Sequence, residues 1–278
     1  MTTLTLPEVA APAVHTAPVR GVTLATTFKA EWTKLRTLRS TWITLAAASF
    51  ISVGFGVLIA ATSISRLDRM TPKERLQFDP TSISLIGVLF ATVIIGSLAV
   101  RSVTAEYNSG MIRTTFAALP RRRRVVAAKA VILALVAFPV ALVSNLAAFM
   151  ISQQIFAGKH MAPAFGQAGV IRAIVFGALA VSLVTVLGLG LGSIIKRTAG
   201  ATTALSLIVI GGSIFGGALP ASISQYLPSS AIQSMLTVNR AGSNGSGLLQ
   251  PVVALAVLAT YALVVFGIAS ALVARRDA

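Results

Sequence analysis

RSVTAEYNSGMIRTTFAALPRRRRVVAAK, residues 101–129, is the polar stretch from which the fold can be read. It carries seven basic residues against one acid, Glu106, and separates two apolar runs that are each long enough to cross a bilayer. Loops left on the cytoplasmic side of a membrane retain Lys and Arg, so this stretch indicates which side is which.

Outward from it, six uncharged apolar runs occupy 42–62, 82–100, 130–152, 173–195, 199–219 and 248–274, each of 19 to 27 residues. About 20 residues at 1.5 Å rise cover a hydrocarbon core of about 30 Å, and backbone groups in lipid must be satisfied within their own segment. The expected fold is therefore an all-α membrane protein with six transmembrane helices over 42–274. Sixteen of the 23 Lys and Arg fall before residue 42, in 101–129, at 196–197 and after 274, and the alternate segments hold seven. That asymmetry places both termini in the cytoplasm and the chain, as a multi-pass protein, in a bacterial cytoplasmic membrane.

Composition agrees. Hydrophobic residues make up 55% and charged residues 11% of the 278. The net charge of +16 does not point to nucleic acid as a partner, because the basic residues sit at the ends of apolar runs rather than on one soluble face. With no Cys, thiolate metal sites and a Cys nucleophile are excluded, and His15 and His160 are too far apart in sequence to suggest a metal or catalytic pair. No metal or other cofactor is expected on this chain. A membrane enzyme would need clustered acids, a His dyad or a metal site within the spans, and a proton-coupled carrier would need buried ionisable groups there. The runs offer neither.

Residues 1–22 contain three Pro and no periodicity, and read as a disordered cytoplasmic tail. In 23–41, Leu24, Phe28, Trp32, Leu35 and Leu38 recur at helical spacing, with Lys29, Lys34, Arg36 and Arg39 largely off that stripe. This predicts an N-terminal interfacial amphipathic helix in contact with membrane lipids, the alternative being a cytoplasmic continuation of the first span. Thr71-Pro72-Lys73-Glu74 has the pattern of a capping box and predicts a short outer helix; a second is expected at 229–236, on the outer surface. Residues 275–278 form a cytoplasmic tail.

Within 101–129, residues 102–109 can be helical, Gly110 offers a stop and Pro120 ends a second helical piece. Arg121, Arg122, Arg123 and Arg124 read as topology anchors on anionic lipid. Tyr107, Ile112 and Phe116 are apolar in a nominally aqueous loop, where such residues either lie on the membrane or fill a groove on a partner. Inside the spans, Asn145 either lines a substrate path or bonds a neighbouring helix, and Gly212 and Gly216 form a G-x-x-x-G pair suited to helix packing.

The run Glu106-Tyr107-Asn108-Ser109-Gly110-Met111-Ile112-Arg113-Thr114-Thr115 resembles the E-Y-x-x-G-x-I-R-x-T signature of ATP-binding-cassette exporter permeases of the type-2 family. Glu31-Trp32-Thr33-Lys34-Leu35-Arg36 is similar to the E-W-x-K-L-R helix of actinobacterial members, and Leu227-Pro228-Ser229-Ser230-Ala231 precedes the last span as it does in that family. The resemblance covers nearly the whole chain in order and spacing. It implies a permease without its own ATPase, paired with a second permease copy or paralogue, that exports a drug, peptide, lipid or lipid-linked glycan. ATP and magnesium are then expected on a separate ABC-type ATPase subunit, docked through a coupling loop at 101–129 that contains Glu106, Tyr107, Gly110, Ile112, Arg113 and Phe116. The absence of a G-x-x-x-x-G-K-[ST] phosphate loop fits that division of labour. The competing reading is a non-transporting multi-span membrane anchor or sensor.

Overall fold

The computed structural model describes residues 24–67, 69–110, 122–158, 165–239 and 247–275. Every regular element among them is a helix. Six helices are long and apolar enough to cross a membrane: Arg39–Leu67, Pro80–Asn108, Arg123–Ala157, Val170–Ile195, Thr198–Ala218 and Pro251–Arg275.

The first element, α1 (Leu24–Thr37), breaks at Leu38, and α2 (Arg39–Leu67) starts immediately after it. The helix expected over 23–41 is thus shorter, its last three residues belong to α2, and it is no continuation of that span. It packs chiefly on the third span instead. The capping box at 71–74 forms, with the Thr71 N–H donating to Glu74 Oε2 at 2.7 Å, and starts α3 (Pro72–Gln77). Asp79 caps α4 (Pro80–Ser84), and a three-residue break at 85–87 leads into α5 (Val88–Asn108). A Cβ on Gly87 would strike the Ser52 carbonyl, so glycine is what lets α2 cross that break closely.

Nothing in 101–108 breaks a helix, and α5 runs on to Asn108, ending where Gly110 takes a φ of +71°. On the far side α6 (Arg122–Ala157) already includes Lys129 and continues through Pro139. The stretch expected as a loop over 101–129 is therefore helical at both ends. Residues 111–121 lie outside the described residues, as do 1–23 and 240–246.

Next come α7 (Val170–Ile195), α8 (Thr198–Phe215), α9 (Ala221–Ser224), α10 (Pro228–Leu236) and α11 (Pro251–Arg275). The centre of the bundle is α7, packed on α5, α6 and α11. Its Gly188-Leu189-Gly190-Leu191-Gly192 run explains how: a Cβ on Gly188 would sit 2.5 Å from the Gly96 carbonyl of α5, and one on Gly190 3.0 Å from Val265 of α11. Small residues let helix backbones approach where lipid offers no hydrophobic drive. Helix α10 is the short helix expected over 229–236, beginning one residue earlier at Pro228, and it is packed into the bundle. Ala231, Ile232, Met235 and Leu236 are all buried, and it inserts between α8 and α11.

Candidate functional site

Four charged side chains meet at the end of the bundle that holds the basic stretch, here the basic end. Glu31 and Lys34 lie three residues apart on α1 and share one face. Glu106 is in the last turn of α5, and Lys129 lies two turns into α6. Lys34 Nζ reaches Glu31 Oε1 at 2.9 Å and Glu106 Oε1 at 3.1 Å. Lys129 Nζ reaches Glu31 Oε2 and Glu106 Oε1, both at 2.8 Å. The result is a closed ring of alternating sign, neutral in sum, that joins three helices.

Glu31, Glu106 and Lys129 are buried; Lys34 forms the ring's wet side, with 41% of its side chain exposed. Burial alone would raise the Glu31 pKa, but Lys129 and then Lys34 outweigh it and hold the carboxyl below its ordinary range. Burial alone would lower Lys34, yet Glu31 and Glu106 hold its ammonium above the usual value. Removing one member of such a buried set strands its partner's charge, a loss of about 3–5 kcal/mol. Against the ring, Leu35 and Tyr107 pack on a separate apolar layer that includes Ala99, Val126, Leu133 and Val273.

The same α5 end holds the α7–α8 turn. Lys196 Nζ stands 4.9 Å from the Tyr107 ring centroid, and the Thr104 and Thr198 hydroxyls lie 2.7 Å apart. Lys196 has a φ of 60°, where glycine is the usual helix stop. Glu106 thus faces α1 and α6 while its neighbour Tyr107 faces the turn.

Of the residues singled out by sequence, Glu31, Lys34, Glu106 and Tyr107 come together here. The face of α1 turned to the bundle is Thr27, Glu31 and, half-buried, Lys34; Trp32 and Leu38 of its apolar stripe are exposed, as is Arg36. Gly110 stops α5. Ile112, Arg113, Phe116 and Arg121 lie outside the described residues; Arg122 opens α6, and Arg123 and Arg124 are exposed on its first turn. Asn145 is buried and donates to the Ile174 carbonyl at 3.2 Å, bonding a neighbouring helix. Gly212 and Gly216 face Leu227, with Ser229 against Gly212, so they seat the N-terminus of α10. Lys129 is the ring member that the sequence marks least: its one signal is a Lys heading an apolar run with no acid nearby in sequence.

At the opposite end Asp79 does unanticipated work. Its Oδ1 accepts from the Thr81 and Ser82 N–H groups, and its Oδ2 from those of Val238 and Asn239 at 2.7 and 3.0 Å. The Asn239 carboxamide returns to the Leu76 and Phe78 carbonyls, and Arg172 donates to Thr237 O at 2.8 Å. Two loops 160 residues apart in sequence are clasped through one carboxylate.

A family model described as ABC-2 family transporter protein matches residues 27–213, well over half of the chain and including every member of the ring. No curated protein and no solved structure matches it.

Proposed function

We propose that this chain, which belongs to the ABC-2 transporter family, is the permease of an ATP-driven exporter and draws its energy from a separate ATPase subunit. The observation that carries this is the ring. It binds α1 to the two helix ends, Glu106 and Lys129, that flank the 109–121 segment. Force applied to that segment by a docked subunit moves α5, α6 and α1 together, because letting them part would strand buried charge. Helix α5 then carries the motion into α7 through the close glycine contact.

In this reading the basic end is cytoplasmic, with both termini on that side, and Glu106, Tyr107, Gly110, Ile112, Arg113 and Phe116 form or support the docking surface. ATP and magnesium belong to the partner. The chain works beside a second permease copy or paralogue, to which α8 and α11 offer exposed apolar faces such as Leu207 and Leu263. The substrate is a drug, peptide, lipid or lipid-linked glycan, in keeping with uncharged spans. The test is co-purification of the tagged full chain with a co-expressed ABC-type ATPase, together with its ATPase rate in proteoliposomes. Retrieval is expected, and it should be lost when Tyr107, Ile112 and Phe116 are replaced together by Ser. A folded, inserted chain that retrieves no ATPase would return the anchor or sensor reading to first place.

A further inference from the structure

A groove of about 310 Å³ runs between α1 and α6, walled by Phe28, Trp32, Ile132 and Leu135, with Lys29 its one charged lining residue. Ile132 is buried and forms the floor; Leu135 is 64% exposed and Trp32 46%, so the groove opens away from the bundle. Leu135 lies six residues beyond Lys129, about 9 Å further along the helix, so the groove leads from the level of the ring towards the middle of the span. The surface that lines it is apolar.

Charge decides what fits. Of the acids at the basic end, Glu31 and Glu106 are both consumed inside the ring. Lys29, Arg36, Arg39, Arg123, Arg124 and Arg197 are exposed, and none of them forms an ion pair among the described residues. Arg36 follows Lys29 by seven residues, two turns along the same face and about 10 Å away. Among the described residues, the basic end therefore carries exposed cations, Lys29 at the groove itself, with no acid left to pair them. A zwitterionic headgroup would bring its own ammonium into this field, whereas an anionic one supplies the missing charge.

We infer that the α1–α6 groove is a binding site for an anionic phospholipid, whose acyl chain lies along Phe28, Trp32 and Leu135 while Lys29 holds its phosphate. This requires only that the chain sits in a bilayer, and it stands whether or not an ATPase docks. Holding Glu31 and Glu106 in the ring is what leaves Lys29 without an acid partner among the described residues.

The two tryptophans of the chain are Trp32 and Trp42, so Trp42→Phe leaves Trp32 as the sole indole reporter. The full chain with that change is placed in phosphatidylcholine vesicles containing equal mole fractions of brominated phosphatidylglycerol or brominated phosphatidylcholine. Quenching of Trp32 is expected to be about twofold stronger with the anionic lipid. Adding Lys29→Glu brings the ratio near one, and Lys29→Gln gives an intermediate value. Arg197→Glu, the same charge reversal at a residue that does not line the groove, leaves the ratio unchanged. Equal quenching by the two lipids overturns the site. An equal loss in Arg197→Glu and Lys29→Glu also overturns it, since that marks diffuse attraction rather than a built groove. Because Lys29 is exposed and outside the ring, an unaltered elution profile for its variants is the expected fold control.

Discussion

At the basic end, Glu31, Lys34, Glu106 and Lys129 join three helices through side chains alone; at the opposite end, Asp79 joins two loops by accepting from their backbone N–H groups. The difference is mechanical. A ring of flexible side chains can shorten one contact and lengthen another while its helices shift, and its net charge stays zero throughout. A carboxylate bound by four N–H groups has no such freedom, because moving it breaks backbone hydrogen bonds in both loops at once. One end is built to give, the other to hold register. That arrangement suits the function proposed above, in which a partner would act on the basic end.

The largest effect that tests this contrast is expected from Glu106→Lys. It places three cations around one carboxylate, and the purified chain should lose about 3–5 kcal/mol, read as a marked fall in melting temperature in detergent. The double variant Glu106→Lys with Lys129→Glu sharpens the point. Two independent pairs, Glu31 with Lys34 and Glu106 with Lys129, would be restored to native stability by that swap. A ring would not, since the swap sets like charges at 34 and 106 and at 31 and 129. Inverting all four charges should then recover most of the loss. Full recovery in the double variant alone would break the ring into two pairs.

Next in size is Asp79→Asn, which leaves one carbonyl oxygen where two charged oxygens served four N–H groups. A loss of about 1–3 kcal/mol is expected. Amide exchange should rise at Thr81, Ser82, Val238 and Asn239 and stay unchanged at Glu31 and Lys129. Equal loosening at both ends would mean that the two ends do not respond separately.

These two ties were not equally legible in sequence. The six spans, the capping box at 71–74 and the stop at Gly110 are local, set by hydropathy and by residues three or four positions apart. The Glu31 and Lys34 spacing was local too, and the E-W-x-K-L-R run drew notice to both, but as part of a lipid-facing helix. The burial of Glu31 depends on Lys129, 98 residues further on, and no periodicity encodes that meeting. The apolar stripe divides for a physical reason. In a bilayer, apolar side chains gain little by turning inward, so α1 can leave Trp32 and Leu38 exposed while Leu35 and the charges Glu31 and Lys34 face the bundle. Asp79 was legible as a helix cap before Pro80, but its second oxygen is satisfied by loop residues that only the fold brings near. The glycine pair pointed to a close helix contact, and Gly212 makes one with Ser229 of α10, but which helix it meets is not local information.

Acid separates the ends more gently than mutation. Glu31 is held below its ordinary pKa, so it contributes stability that is present above the unfolded value, near pH 4, and is lost as pH falls through the folded one. Lys34 is held above its ordinary value, so its share is complete below about pH 10 and is lost only as pH rises through the higher folded value. Between these limits Glu31 and Lys34 both keep their charges. Acidification below about pH 4 should therefore raise proteolysis at the α1–α2 break near Leu38 before the α5–α7 core opens. Glu31→Gln should abolish that pH dependence while lowering stability at neutral pH. Persistence of the acid step in Glu31→Gln would assign it to another carboxyl.

The smallest effect lies at the α7–α8 turn, and there the contrast between giving and holding can be tested within one residue. Lys196 occupies the left-handed region at a cost of about 1 kcal/mol, and its ammonium over the Tyr107 ring returns about 0.5–1 kcal/mol. Lys196→Gly relieves the first and loses the second, so its melting temperature should match that of the parent. Lys196→Ala keeps the strain and loses the contact, and should melt earlier by about 0.5–1 kcal/mol. If both variants melt together below the parent, the strain has no weight and the contact alone counts. Stability in Lys196→Gly then frees the other measurement: ATPase stimulation in proteoliposomes should fall in that variant if the turn takes its cue from α5 through Tyr107. An undiminished rate would confine transmission to the ring, leaving α7 to follow α5 through Gly96 and Gly188 alone.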